Sequence, residues 1–406
     1  MRLALLSPLP PDPSALAHHA AQFRRALNLG GIDVLTPLVG QRPLDNLRAA
    51  RAWVAERDWR GVDVVHAELA PGQHTVYWVM QALASLPSGP ALTATVHAPP
   101  GLLAQPLVAP LAGLYHASWL PDWMRQAGAG LAAPITRYND RRLARRLSGV
   151  LCAHELGDAG VAQLARRLGL PRERIAVLPL GRHDAPARPL PPLPHKWLCM
   201  SGPGQALRPL QDLVTALTAL QDRAEGERPD WQLTFAGPTA ASCFKAPRHD
   251  PLSRLQADPR VRALGDRIAW QLDPDPQDLP ALVAAHHMLI QPDRDQPWGL
   301  DGTEPGPTSP QAMRELALSI GRPLLVARHK RGFDLSDQAS GATYTAGQTA
   351  TLVPVLQNLL SEPDGLRAWG QQAQQCASAR AAAQMSARYV GFFQQVVASS
   401  GRRATK

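Results

Sequence analysis

The sequence predicts an α/β protein built as two Rossmann-like halves facing a cleft. Three observations lead there. Short apolar runs alternate with helix-length segments along most of the chain, the pattern of a parallel sheet wound with helices. One proline-dense stretch, DAPARPLPPLPHK from Asp184 to Lys196, interrupts the alternation, which then restarts. And 406 residues are too many for one ordinary core.

The first half opens on a strand, Leu3 to Leu6, followed by the loop PLPPDPSALAHH and a helix from Ala17 to Leu29 closed by Gly30-Gly31. Further strands are read at Ile32 to Leu35, Val62 to His66, Leu92 to His97, Gly149 to Ala153 and Ile175 to Leu178. The second half repeats the alternation with strands at Trp197 to Met200, Trp231 to Ala236, Arg267 to Trp270, Met288 to Ile290 and Leu324 to Val326, and a helix from Pro209 to Ala224. The part from Thr351 to Ser399 reads as helical. The expected division is a first domain over 1–185, a linker over 186–195, a second domain over 196–375 and a returning C-terminal helix over 376–406. No repeat of solenoid period is visible.

The stretch from His287 to Ala327 carries the most local information. After an apolar run and a loop rich in Pro, Gly and Asp, Ser309 suits an N-cap, Pro310 the first helical position and Gly321 a stop. Between them Ala312, Met313, Leu316, Ala317 and Ile320 share one helical face. Strand, loop, capped helix and strand make one unit of a parallel sheet. In such sheets ligands sit beyond the carboxyl ends of the strands, and a helix N-terminus favours phosphate. The amides near Thr308, Ser309 and Gln311 are thus a candidate diphosphate cradle. An ordinary capped helix with nothing bound is the simpler reading of the same residues.

The composition is globular, with 45% hydrophobic and 18% charged residues. The net charge of 42 − 33 = +9 suits an anionic partner such as a nucleotide or an anionic membrane surface. The charge is dispersed and no nucleic-acid motif occurs, so nucleic acid is not expected as a partner. Cys152, Cys199, Cys243 and Cys376 are far apart and form no CxxC pair, which argues against a zinc site or disulfide framework and fits a cytoplasmic protein. The start, MRLALLSPLPPDP, is too short and proline-broken for a signal peptide. No apolar run reaches the ~20 residues that span a bilayer, so any membrane contact is expected to be peripheral.

The order of motifs resembles the family-four glycosyltransferases of the GT-B fold. MRLALLSPLPPDPSALAHHAAQFRRAL, VDVVHAEL, ALTATVHAPP and SGVLCAHE resemble the family's first domain. WLCMSGPGQALRPLQDLVTAL, WQLTFAGP, RIAWQLDPDPQDLPALVAAHHMLIQP and SPQAMRELALSIGRPLLVA resemble its donor domain. MSARYVGFFQQVV resembles the final helix that crosses back to the first. The resemblance covers nearly the whole chain. It implies a retaining, metal-independent transfer of a sugar from a nucleotide-sugar donor to a glycan or lipid-linked hydroxyl acceptor, in bacterial surface polysaccharide or glycolipid assembly. It implies no cofactor.

The family places an Arg and a Lys five residues apart after the first donor-domain strand, to offset charge on the departing diphosphate. Arg208 falls on the Lys position and can bind phosphate bidentately, with a solvated helix-start arginine the alternative, whereas Pro203 occupies the Arg position. Of the family's two glutamates with seven residues between them, neither is present: Thr308 and Leu316 stand there. Glu315 is one residue, about 100° of helix, away. Glu304 is a candidate for a donor-sugar hydroxyl, with a solvated loop carboxylate the simpler account. His97, at the end of TATVH, matches a family histidine near the donor sugar, with a histidine that merely caps a loop the alternative. Ser14 and Ala15 fall in the acceptor-side loop, where the family usually has a glycine, and His18 follows. His18 and His19 together are candidates for acceptor or metal contact, with a surface pair the simpler reading.

Some signals are set aside. Asp293-Arg294-Asp295 is an Asp-Xaa-Asp, but it lies in a loop of the second half where no metal is expected. DPDPQD, residues 273 to 278, reads as a turn and helix start. RYNDRRLARR, Arg137 to Arg146, reads as a solvated helix face, with anionic lipid or a diphosphate-linked acceptor the alternative. Tyr115, Trp119 and Trp123 upstream read as core, with a membrane interface or sugar stacking the alternative. The missing Arg and Glu positions keep a second function open: a catalytically silent GT-B protein that binds a nucleotide sugar, a glycan or a partner enzyme.

Overall fold

The computed structural model describes residues 1–406 except 13–14, 71, 98–101, 103–121, 154–156, 179–187, 202–206, 223–229, 238, 240–250, 276, 293–309, 329–340, 346, 380 and 405–406. The chain divides into two units.

The first unit contains a six-stranded parallel sheet of β1 (Arg2–Leu6), β2 (Asp33–Leu35), β3 (Val64–Leu69), β4 (Ala91–Val96), β5 (Leu147–Ala153) and β6 (Ile175–Leu178), in the order β2-β1-β3-β4-β5-β6. Its helices are α1 (Ala15–Leu29), α2 (Leu47–Ala55), α3 (His74–Leu83), α4 (Asp122–Arg146) and α5 (Gly157–Leu168). β3 is buried along its whole length. Successive side chains of a strand point to opposite faces, so Val65, Ala67 and Leu69 join the core under α2 and α3, while Val64 joins the core under α1. Continuing that alternation, His66 and Glu68 fall on the α1 face. β3 therefore runs beyond the expected end at His66, through a charged residue inside the sheet.

The second unit contains β7 (His195–Met200), β8 (Trp231–Gly237), β9 (Ile268–Leu272), β10 (Met288–Gln291), β11 (Leu324–Arg328) and β12 (Gly341–Thr345). The order is β12-β11-β10-β7-β8-β9, all parallel. Counted within the unit, this is the Rossmann order 3-2-1-4-5-6 read from β9 to β12. Its helices are α6 (Leu207–Gln221), α7 (Pro251–Gln256), α8 (Pro259–Leu264), α9 (Leu279–Ala284), α10 (Pro310–Ile320), α11 (Thr349–Ser361) and α12 (Pro363–Ala379).

α10 follows its punctuation. It begins at Pro310 and stops before Gly321, whose φ of 85° is the left-handed conformation that glycine adopts freely. Met313, Leu316, Ala317 and Ile320 are buried. The edge strand β12 is not anticipated by the sequence. GATYT starts on Gly341, where an added β-carbon would run into the backbone of Leu324 on β11.

A last helix, α13 (Ala382–Ala404), belongs to the first unit. It buries Met385, Tyr389, Phe393 and Val396 against Leu3, Leu5, Phe23 and Leu27. The ring of Tyr389 meets that of Phe23 edge-on at 4.7 Å. Each such buried side chain stabilises by roughly 1.5–3 kcal/mol. The returning helix expected from MSARYVGFFQQVV is thus present. Among the described residues, no helix is long and apolar enough to cross a membrane.

Candidate active site

Ligands of open parallel sheets sit beyond the carboxyl ends of the strands, where the strand order reverses. In the first sheet the reversal falls between β1 and β3. A polar cluster occupies that end.

Its centre is Glu68, fully buried near the end of β3. Register places its neighbours: His66 pairs with Thr93 and Glu68 with Thr95 on β4, and His97 follows β4 directly. Thr93 and Thr95 hydroxyls lie 2.9 Å from Nδ1 and Nε2 of His66, respectively. Thr95 donates onward to Glu68 Oε1 at 3.4 Å. The Thr93 hydroxyl donates to the Val65 carbonyl at 3.3 Å. The other carboxylate oxygen, Oε2, accepts from Nε2 of His97 at 2.5 Å. His19 of α1 brings its Nε2 to 3.7 Å from the same oxygen. The rings of His19 and His97 meet edge-on at 5.1 Å.

Phe23 and Phe393 close the cluster from below, their rings 5.0 and 5.2 Å from that of His66. Burial pushes the Glu68 carboxyl up, but hydrogen bonds from His66 and His97 and the charges of His19 and His97 outweigh it. The carboxyl is held well below the ordinary carboxylate range. The result is a buried anion with its open side towards two imidazoles that each keep a partly exposed edge. Such an anion fixes the orientation of an imidazole and keeps a proton on its Nε2.

In the second sheet the reversal falls between β7 and β10. The chain leaving β7 enters α6, and the chain leaving β10 enters α10. Arg208 is the second residue of α6. Its side chain is 68% exposed, with Nε 3.4 Å from Asp212 Oδ1 one turn on. Gln311 stands in the first turn of α10. Gly237, with φ 153°, ends β8 so close to Ser201 that a β-carbon would overlap the Ser201 carbonyl oxygen. Leu316, at one of the expected glutamate positions, packs in an apolar core with Met313 and Val283.

The structure thus brings His97 together with His19, Glu68 and His66. His18 is exposed on α1, while its neighbour His19 turns inward, so the pair is not a surface pair. Ala15 opens α1. Ser14, Glu304, Thr308, Ser309, Asp293, Asp295, Tyr115 and Trp119 lie outside the described residues, as do the side chains of Ala15, Trp123, Gln311 and Glu315. Arg137, Arg141, Arg142, Arg145 and Arg146 are all exposed on α4, whose buried side carries Asp140, Leu143 and Ala144. A groove of about 540 Å³ lined by Trp59, Asp63, Leu86 and Val397 lies at the amino ends of β3 and β4, opposite the cluster.

No family model matches the sequence, and no curated protein does. Solved structures do. Sucrose-phosphate synthase from Thermosynechococcus elongatus is 16% identical with a TM-score of 0.62, over 97% of this chain and 100% of that one. A glycosyltransferase from Rickettsia africae is 11% identical with a TM-score of 0.62, over 98% of each chain. Anabaena HepE, in complex with UDP, is 14% identical with a TM-score of 0.59, over 99% of this chain and 100% of that one.

The chain has the GT-B fold.

At these identities the likeness is one of architecture. In this GT-B chain the sequence points to His97, but not to Glu68, His19 or His66 as its partners. One signal was available: a carboxylate two residues after a histidine in an apolar strand puts both on one face.

Proposed function

We propose that this protein is a retaining glycosyltransferase, moving a sugar from a nucleoside-diphosphate donor to a hydroxyl of a glycan or lipid-linked acceptor. The observation that carries the reading is the buried Glu68 holding His97 at the strand-order reversal of a GT-B sheet. HepE, of the same fold, was solved with UDP, so a UDP-sugar is the first donor to test.

In this reading the bond from the anomeric carbon to the diphosphate breaks, and the diphosphate keeps the electron pair. The acceptor oxygen bonds to the anomeric carbon and passes its proton to an oxygen of the departing diphosphate. Arg208 and the helix amides around Thr308, Ser309 and Gln311 offset the charge that develops on the diphosphate. Arg208 meets phosphate by leaving Asp212, an exchange of one exposed charge contact for another. Glu304 meets a sugar hydroxyl. His97 meets the sugar, and Glu68 positions it. Ser14, Ala15 and His18 line the acceptor side. No metal is needed, because cationic groups do the work of one. The arginines of α4 rest on an anionic cytoplasmic membrane surface, as suits a lipid-linked acceptor in surface polysaccharide or glycolipid assembly.

A second reading is favoured by one observation. Leu316 and Pro203 replace groups that the resembled family uses, and Leu316 belongs to the core. A silent GT-B binder of nucleotide sugars or glycans would tolerate both. Incubation with a panel of nucleotide sugars separates the readings. Release of nucleoside diphosphate that depends on a supplied glycan acceptor supports the transferase. Nucleotide-sugar binding without release in any combination supports the binder.

A further inference from the structure

The cluster around Glu68 has a composition that hydrogen bonding to one imidazole does not use up. His19, Glu68 and His97 each offer one ligand atom, and these atoms all lie within 4.8 Å of one another. Two imidazoles and one carboxylate, with a position left open, is a set that holds zinc in hydrolytic enzymes. Here the three ligands come from α1, β3 and the residue after β4, so the fold and not a local chelating turn assembles them.

We propose that His19, Glu68 and His97 form a zinc-binding site. Zinc sits about 2.0–2.2 Å from imidazole nitrogen and carboxylate oxygen, which spaces tetrahedral ligands roughly 3.3–3.5 Å apart. His19 Nε2 and Glu68 Oε2, at 3.7 Å, need to close by only about 0.2–0.4 Å to reach that spacing. His97 Nε2 shares a proton with Oε2. The ion displaces that proton to solvent, and the two atoms part by about 1 Å to reach ligand spacing.

The surroundings are those of a metal ligand set. Ligating carboxylates are themselves held by hydrogen bonds from behind. Glu68 Oε1 accepts from Thr95, and His66 braces the same oxygen at 3.4 Å, so Oε2 is presented to the two histidines. His66 in turn is fixed by Thr93 and Thr95. Ser7 adds an independent observation. It follows β1, one step beyond the Leu6–Ala67 pair, beside Glu68 in register. Its hydroxyl is buried and has no hydrogen-bond partner among the described residues. Buried polar groups are rarely left so, and a water or hydroxide on the open position of an ion would supply a partner. The partly exposed edges of His19 and His97 give the ion its entry.

Zinc held here takes the Nε2 lone pair of His97. On the reading of His97 as the residue that meets the sugar, zinc is a brake on transfer and not its cofactor. That consequence rests on the proposed function, whereas zinc binding itself does not.

The test is a zinc titration of the full-length, chelator-stripped protein in competition with a chromophoric chelator, with no sugar or nucleotide present. One zinc per chain at low-micromolar affinity or better is expected. His19→Ala and Glu68→Gln should each weaken it at least about tenfold. His18→Ala, one residue away and exposed, should bind as wild type, and millimolar magnesium should not compete. X-ray absorption of the zinc-loaded protein should show two imidazoles. His19→Ala removes only a helix-face side chain, so its reading stands even if Glu68→Gln does not fold. Failure of the wild-type protein to take up one zinc, or zinc binding by His19→Ala equal to wild type, overturns the proposal. Loss of glycosyl transfer under all conditions with intact zinc binding overturns only the proposed function.

Discussion

Glu68 Oε2 accepts a hydrogen bond from His97 Nε2 at 2.5 Å, from a position with no exposure to solvent. A carboxylate in so little water gives the bond a strength that surface pairs lack. It fixes which nitrogen of His97 carries the proton and where the ring stands.

The first prediction follows from that pair. His97→Ala should lower kcat about tenfold to a hundredfold while nucleoside-diphosphate affinity stays within about threefold, since in the proposed function the side chain meets the sugar and not the nucleotide. Glu68→Gln should lower kcat in the same direction through loss of orientation. Steady-state kinetics beside calorimetric nucleotide binding reads both. Wild-type turnover in His97→Ala would return the histidine to a role in the loop alone.

Arg208 is exposed and pairs only loosely with Asp212. Arg208→Ala should lose about a hundredfold in kcat/KM, in line with removal of one charge-stabilising donor. It should weaken nucleoside diphosphate more than nucleoside. Arg208→Lys should recover part, since the charge returns without the bidentate fork. Calorimetry of the three variants with nucleoside and nucleoside diphosphate checks it. Equal diphosphate affinity in Arg208→Ala and wild type would move the donor phosphates elsewhere.

Asp140 gives a pH dependence independent of function. It is buried on α4, where it accepts from Tyr77 on α3 and from the Leu102 amide. Burial pushes its carboxyl up to about 6, against the two hydrogen bonds and the charge of Arg167. The unfolded value is about 3.9. A raised folded pKa means the folded state holds the proton longer. Its contribution is therefore full below about pH 4 and is lost as pH rises towards 6, by on the order of 2–3 kcal/mol. Asp140→Asn removes the titration. Its Tm relative to wild type should rise between pH 4.5 and 7.5. A constant gap across that range would show that Asp140 does not hold the proton.

How much of this was legible in the sequence depends on the kind of interaction. The strands were legible because apolar runs bury both faces of a parallel sheet, and α10 because Pro310 and Gly321 punctuate it. β12 was not, since an edge strand opening on Gly341 has neither an apolar run nor a clean alternation. His97 was legible as a polar residue at a strand end. Glu68 was hidden inside what reads as an apolar strand, and its partners are set by the pairing of β3 with β4 and by the docking of α1. Those contacts join residues about thirty to fifty apart, as Glu68 to His97 and His19 to Glu68 show, and no local spacing encodes them.

Arg322 is a second group whose role only the structure shows. It follows Gly321 and is 1% exposed. Its guanidinium donates to the carbonyls of Arg188, Pro189 and Ala284 at 2.7–2.8 Å, tying the proline-rich stretch to α9. Burial, and the charge of Arg188, lower its pKa to about 10. Arg322→Met should cost about 3 kcal/mol, because three buried carbonyls lose charge-assisted donors. Arg322→Lys should recover less than half, since an ammonium lacks the fork. Denaturant unfolding of the variants measures it, and a loss under about 1 kcal/mol in Arg322→Met would mean that water takes over the carbonyls.

The central claim is that this GT-B chain binds a nucleoside diphosphate through its second unit. Thermal unfolding against a panel of nucleoside diphosphates, UDP included, tests it most directly. A ligand at a hundred times its Kd stabilises by about 2.7 kcal/mol, which shifts Tm by about 5–11 °C in a domain of this size. The account predicts such a shift with at least one diphosphate, a smaller one with its nucleoside, and its loss in Arg208→Ala. No shift with any nucleotide, or a shift unchanged in Arg208→Ala, would contradict it.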